Sequence, residues 1–356
     1  MHKICYLNVS KPNAGLTNQL YIIAGFLCEA IKNNKQVVIA NNFQKEIFSN
    51  QFCPISEVID IFNTNIFLQK YNVTLIDNNY LNFEITKVLF GLDDKTVDIT
   101  YEINQSCVFF DLLFINKEFN LINLKGDPVP MKKKKIYITY KLSNYTFYCE
   151  FNEECGFPTT NIVLNFKNRI FEPPLKWRTE ENKLLFNEII DNIKFNPNLY
   201  ANAQKFVEPL KSSKINVIHI KNENDCIKHY SHSIYHCNEN IFKDILDKKY
   251  IYLINKYIRK EDINIILTYS SHDNIVINYL KNNNYNITFI DKQPNIGREL
   301  NAAIDMMIGE SCNNIFLGPC YGSTFSELLE IRMKNNKKII KFDLDHIDRM
   351  EEIVNK

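Results

Sequence analysis

The chain has 356 residues, 45% hydrophobic and 23% charged, with 42 Lys and Arg against 41 Asp and Glu for a formal net charge of +1. That length predicts two domains, and the ordinary balance excludes a disordered chain or a Pro/Gly-rich polymer. Near-neutrality leaves no global basic field to gather nucleic acid or an anionic membrane.

Two biases stand out. Only 9 glycines occur, and the basic residues include only six Arg. Abundant Asn, Ile and Lys fit a low-GC coding sequence. Nucleotide-binding loops usually consume glycine, and neither G-x-G-x-x-G nor G-x-x-x-x-G-K-[ST] is present. A dinucleotide fingerprint and a P-loop are therefore unsupported.

The N-terminus reads as a short strand without the apolar region of a signal peptide. The longest apolar stretch, Leu20 to Ala30, contains Glu29, and no run approaches the ~20 residues of a membrane span. Ten cysteines are dispersed without a C-x-x-C. They predict free thiols in a reducing, cytoplasmic protein. Asn-x-Ser/Thr sequons at Asn8, Asn72, Asn104, Asn144 and Asn286 are what an Asn-rich sequence produces by chance.

In chain order, residues 3–9 predict a strand, Leu16 to Ile31 a helix and Gln36 to Ala40 a buried strand. Together they form a βαβ unit and imply a parallel sheet. Strand-like runs follow at 70–76, 107–115 and 136–142, the last preceded by Lys132–Lys135, which reads as a solvated lead-in rather than an anion site. Pro173-Pro174 breaks the chain, and Thr179-Glu180-Glu181 opens a helix through Ile193. Helix 198–211, strand 215–220, helix 241–258, strand 263–268, helix 273–281, strand 286–290, helix 298–310, strand 313–317, helix 323–334 and strand 337–342 then alternate. A short terminal helix is expected to close the chain. Such alternation predicts an open α/β sheet, two α/β domains with a boundary near 200, and a ligand in the crevice between them, at the carboxyl ends of parallel strands.

Five constellations could carry chemistry. In Ala14-Gly15-Leu16-Thr17-Asn18-Gln19, Gly15 permits close backbone approach, a helix N-terminus faces any anion, and Asn18 and Gln19 add donors. A Thr17 cap would use the same residues. In His219-Ile220-Lys221-Asn222-Glu223-Asn224-Asp225, a cation stands between an imidazole and two carboxylates at a strand end. That suits a departing phosphate, though a surface charge cluster reads similarly. In Gly318-Pro319-Cys320-Tyr321-Gly322-Ser323-Thr324-Phe325-Ser326-Glu327, hydroxyls at a helix N-terminus make a phosphate cradle. A capping box through Ser323/Ser326 or Thr324/Glu327 is compatible with it. His229, His232 and His236 with Cys226 and Cys237 match no standard zinc spacing and read better as a cleft lining. Asp343-Leu344-Asp345 reads as a solvated terminus rather than a cation site.

Three of these segments, in this order, resemble the GDP-fucose-dependent protein O-fucosyltransferase-like superfamily, which has a two-domain GT-B fold. They are Gly15-Leu16-Thr17-Asn18-Gln19, then His219, Glu223 and Asp225 with Lys221 in place of the family's Arg, then Asp305 with Ser323-Thr324-Phe325-Ser326 and a later Arg332. Phe195-x-Pro197 also fits. The resemblance covers about 180–335 and the first 40 residues. It implies two Rossmann-like α/β domains facing a central cleft: residues 1–200 on the acceptor side with the Asn18 loop, and 201–356 binding the nucleotide sugar. It implies inverting transfer of fucose from GDP-fucose to a glycan or protein hydroxyl, without a metal or resident cofactor, nucleic acid or membrane. Asn18 would lie near the reacting centre, His219 and Asp305 at the nucleoside, and Ser323, Thr324, Phe325 and Ser326 with Gly15 around the diphosphate and ring. Lys221 or Arg298 would replace the missing Arg, and Glu223 or Asp225 would be the base. Another nucleotide sugar, or a non-catalytic nucleotide-sugar or glycan binder, are the alternatives.

Overall fold

The computed structural model describes residues 4–7, 15–40, 42–46, 51–77, 83–109, 112–142, 145–165, 180–269, 274–333 and 337–355. Ala14, the Pro173-Pro174 break, the Thr179 helix start, and the Asn8 and Asn144 sequons lie outside these residues. Two compact units emerge: 1–8, 29–42 and 68–173 form the first, and 9–28, 43–67 and 174–356 the second. Residues 9–28, 43–67 and 174–200, which a single cut at 200 assigns to the first domain, group with the second.

In the first unit, Ile4–Leu7, Val37–Ala40 and Thr74–Asp77 form a parallel sheet in that order. The central strand Val37–Ala40 is buried throughout, as a strand covered on both faces must be. The unit also holds an antiparallel sheet in the order Phe157–Pro158, Tyr145–Glu154, Lys135–Leu142, Phe83–Leu92, Lys95–Asp98. Lys135–Leu142 alternates buried and outward residues and is legible as a strand. Its partner Phe83–Leu92 is not, because a bulge opposite Thr139/Tyr140 breaks the period of two and turns both Ile85 and Val88 inward. The Lys132–Lys135 lead-in is also less solvated than expected. Lys134 is buried, 3.1 Å from Asp127 and 3.4 Å from Glu153, while Lys133 and Lys135 pair with Glu154 and Glu150.

The second unit is built on a six-stranded sheet: Ile287–Thr288, Ile263–Leu267, Ile215–His219, Ile315–Tyr321, Lys338–Asp343, Glu352–Asn355. The first five are parallel, and the last runs antiparallel. That last strand replaces the expected terminal helix. Ile353 and Val354 are β-branched, and Glu352 is held by Lys341 and Tyr321 across the edge. In chain order the parallel strands run 3-2-1-4-5, so the order reverses between 215–219 and 315–321. Such a switch point opens a crevice at the carboxyl ends of the strands.

Alternation along 215–219 decides what faces that crevice. Ile218 packs into a core with Leu246, Tyr250 and Leu253 of helix Glu239–Tyr257 and Val276 of helix Ile275–Asn282. His219 points the other way, toward helix Thr324–Arg332.

At the amino ends the sheet is fastened by asparagines. Asn216 and Asn264 are register partners, both fully buried, and bond side chain to side chain at 2.9 Å. Asn314 donates to Asn216 at 2.8 Å and to the Asp262 carboxylate at 3.0 Å, while the Ile315 amide donates to Asn216 at 3.2 Å. The network ties three adjacent strands together. Asn216→Ala should orphan several of these buried groups and cost about 1–3 kcal/mol, read as a lower urea midpoint with an unchanged m-value.

Candidate functional site

A pocket of about 410 Å³ lies in the second unit at the carboxyl ends of 215–219, 263–267 and 315–321. Eleven of the twelve residues singled out from sequence line it: Gly15, Asn18, His219, Lys221, Glu223, Asp225, Arg298, Asp305, Ser323, Thr324 and Phe325. The twelfth, Ser326, lies directly beneath.

His219 is the floor of the site. Its Nδ1 sits 2.6 Å from Ser326 Oγ, and its ring lies 4.8 Å from that of Phe325, tilted at 45°. Burial, then the charges of Lys221 and Lys292, lower its pKa to about 3, so the imidazole is neutral at working pH. The contact depends on Gly318 of the neighbouring strand, where a Cβ would fall 2.9 Å from Ser326 Oγ and 3.4 Å from His219 Cβ. Tyr250 fixes the chain as the strand ends: its hydroxyl donates to the His219 carbonyl and accepts from the Lys221 amide, each at 2.9 Å.

Lys221 follows, 3.1 Å from Glu223. Burial pulls its pKa down, but Glu223, with Cys226 and Asp225, more than offsets this, and the amine stays charged. Asp225 is exposed and accepts the Cys226 amide at 2.9 Å. Helix Asn224–His229 then passes into a π-turn, Tyr230–Ile234, where Tyr230 donates to the Gly322 carbonyl at 2.8 Å. Gly322 has φ of +87°, and a Cβ there would lie 2.4 Å from the Tyr230 hydroxyl.

Helix Thr324–Arg332 presents its N-terminus to the pocket. Ser323, at the cap, is buried yet makes no bond to the helix, and its hydroxyl has no partner among the described residues. The capping-box alternative is thus not what forms, since Ser326 serves His219 and Thr324 Oγ1 bonds Thr17 Oγ1 at 2.7 Å. An unspent hydroxyl beside free helix amides is an anion cradle.

The other helix N-terminus is already occupied. The amide of Leu16, which opens helix Leu16–Lys32, donates to Glu299 at 2.5 Å. Burial raises the Glu299 pKa, partly offset by that amide and by Arg298. Thr17 does not cap this helix, and Gln19 is spent as well: its buried amide pairs with both backbone groups of Gln44, at 2.8 and 3.1 Å. Asn18 alone of the expected donors there is exposed.

Across the pocket, Arg298 stacks on Tyr269 at 4.8 Å from its ring centre. Asp305 is ion-paired with Lys292 through one oxygen, while its other oxygen is buried without a partner among the described residues. Burial raises the Asp305 pKa against the pull of Lys292.

His229 lines the pocket, but the π-turn breaks the helical face shared with His232 and His236. His232 pairs instead with Glu239 at 3.5 Å. Among the described residues no group of three or more His, Cys, Asp or Glu is placed to hold a metal ion. Asp343 ends strand Lys338–Asp343 and accepts the Asp345 amide at 2.8 Å. Arg332 does not enter the site; it donates to the carbonyls of Ile190 and Ile193, both at 2.8 Å, and caps helix Glu180–Asn192. Sequence reading missed Glu299, Tyr269, Tyr250 and Lys292.

No protein-family model matches this chain, and no curated protein does. Among solved structures it is similar to NodZ α-1,6-fucosyltransferase soaked with GDP-fucose, at 14% identity, TM-score 0.51 and 100% coverage of both chains. It is also similar to fucosyltransferase NodZ from Bradyrhizobium, at 13% identity and TM-score 0.50, covering 100% of this chain and 99% of that one. The fold is GT-B. In this GT-B chain the pocket occupies the switch-point crevice of the second unit's sheet.

Two outcomes follow from this packing. Gly318→Ala should overpack the His219–Ser326 contact and cost about 1–3 kcal/mol in chemical denaturation. His219 has a folded-state pKa of about 3 against 6.5 for the free side chain. The unfolded chain therefore binds the extra proton, and stability is lost as pH falls from 6.5 toward 3. Comparing urea midpoints across this range, wild type should lose stability faster than His219→Gln, by up to about 1.4 kcal/mol per pH unit.

Proposed function

We propose that the protein is a glycosyltransferase that transfers fucose from GDP-fucose, with inversion and without a metal, to a hydroxyl of a glycan or protein. The observation that carries this reading is the combination in one pocket of an orphaned Ser323 hydroxyl at a helix N-terminus and two side-chain cations, Lys221 and Arg298. The fold it shares with a NodZ structure soaked with GDP-fucose supports the choice of donor.

In this reading Ser323, the Thr324 and Phe325 amides and Lys221 hold the diphosphate. Negative charge grows on it as the glycosidic bond breaks, and preorganised cations stabilise that charge in place of a metal. Glu223 keeps Lys221 protonated and aimed, so it is committed to that role. Asp225, exposed at the pocket wall, is then the base that takes the acceptor proton. Neutral His219 and the free Asp305 oxygen meet the nucleoside, Asp305 accepting from base N–H groups. Asn18 stands at the reacting centre.

Among the described residues, Cys107, Cys149, Cys155, Cys226, Cys237, Cys312 and Cys320 carry free thiols. No helix among the described residues is long and apolar enough to cross a membrane.

Calorimetry with GDP-fucose, UDP-sugars and dTDP-sugars tests the donor. GDP-fucose should bind and be turned over; preference for another nucleotide sugar, or binding without hydrolysis or transfer, would sink this reading. Lys221→Ala should lower kcat by roughly 10²–10³-fold with the fold intact by circular dichroism. Near-wild-type turnover would remove Lys221 from the mechanism.

A further inference from the structure

Glu299 is a carboxylate, 3% exposed, in a pocket that must receive an anion. Buried charges are costly unless something compensates them, so its placement calls for a reason. One oxygen accepts the Leu16 amide at 2.5 Å, at the positive end of the 17-residue helix Leu16–Lys32. The other oxygen is buried without a hydrogen bond, 3.9 Å from Arg298 Nε. The backbone on either side is anchored: the Glu299 amide donates to the Lys45 carbonyl at 2.9 Å, and the Arg298 amide to Glu46 at 2.8 Å. Glu299 is thus a fixed post.

What it fixes is the first turn of helix Leu16–Lys32. One residue on, Thr17 makes the second tie, 2.7 Å to Thr324 at the diphosphate cradle. Asn18 comes next, exposed to the pocket. Gly15 lies just before this turn, and a Cβ there would meet the Glu299 carboxylate in ordinary contact at 3.5 Å.

We propose that Glu299 is a positioning residue: with the Thr17–Thr324 bond, it pins the helix turn that carries Asn18 and sets that side chain against the donor's reacting carbon. The role of Asn18 rests on the transferase reading above; the pinning of the turn does not.

Three variants test it, with two readouts. Glu299→Ala removes the acceptor for the Leu16 amide. Glu299→Gln keeps an acceptor oxygen and removes the charge. Thr17→Val removes the second tie with little change in volume. Hydrogen exchange over residues 16–20 is independent of activity. It should rise in Glu299→Ala and Thr17→Val and stay near wild type in Glu299→Gln. Kinetically, Glu299→Ala should lose on the order of 10²-fold in kcat while its donor Kd changes by less than about threefold. Glu299→Gln should recover most of the loss. Unchanged exchange in Glu299→Ala, or Glu299→Gln as impaired as Glu299→Ala, would overturn the proposal. Should Glu299→Ala fail to fold, Glu299→Gln and Thr17→Val give the same decision. Wild-type protein that protects residues 16–20 but does not turn over GDP-fucose would count against the transferase reading and leave the pinning intact.

Discussion

Everything at the carboxyl edge of the second sheet hangs on one close approach: the His219 imidazole resting on Ser326 across Gly318. The first residue of the site is on one strand, the second on the helix after the neighbouring strand, and the glycine between them has no Cβ to hold them apart. This contact seats helix Thr324–Arg332 with its N-terminus toward the crevice and its cap hydroxyl unspent. The imidazole can do this only because it is neutral. A charged ring would carry a desolvation cost that this buried position does not compensate.

The second theme is charge balance. The pocket holds three buried or half-buried carboxylates, yet none stands alone. Glu223 has Lys221, Asp305 has Lys292, and Glu299 has a helix terminus. Each acid fixes a donor in place. Arg298 differs, because its guanidinium is held by the face of Tyr269 more than by an acid. The lysine at 221, where the resembling family carries arginine, is a point charge without a bidentate fork. In the proposed transferase reading, the stacked Arg298 is the planar donor set that Lys221 lacks.

Much of this was legible in the sequence, for a definite reason. Residues at the ends of short buried strands in an alternating α/β pattern go to the same edge of the sheet. His219 and Lys221 after one strand and Ser323 to Phe325 after another therefore had to meet. What escaped notice had an ordinary local explanation. Glu299 in a first helical turn reads as a favourable dipole partner of its own helix, and its service to a different helix, 283 positions earlier, leaves no local trace. Tyr250 and Tyr269 read as core aromatics until their hydroxyls are seen at the site. In the first unit, the bulge opposite Thr139/Tyr140 hid a ten-residue strand by breaking its period. Arg332, which carried part of the resemblance and no assigned role, caps a helix.

The asparagine bias, which looked like mere coding drift, acquires a structural use at the amino edge of the same sheet, where Asn216, Asn264 and Asn314 lock three strands. The ligand pocket is at the other edge. The molecule thus separates its fastening from its chemistry by the length of a strand. Substitutions that retune the pocket leave the clasp untouched, and so do not compound with its loss. A chain arranged this way can change residues of its pocket while the asparagine clasp at the far edge keeps its own hydrogen bonds. Tolerance of change is built into the geometry of the sheet.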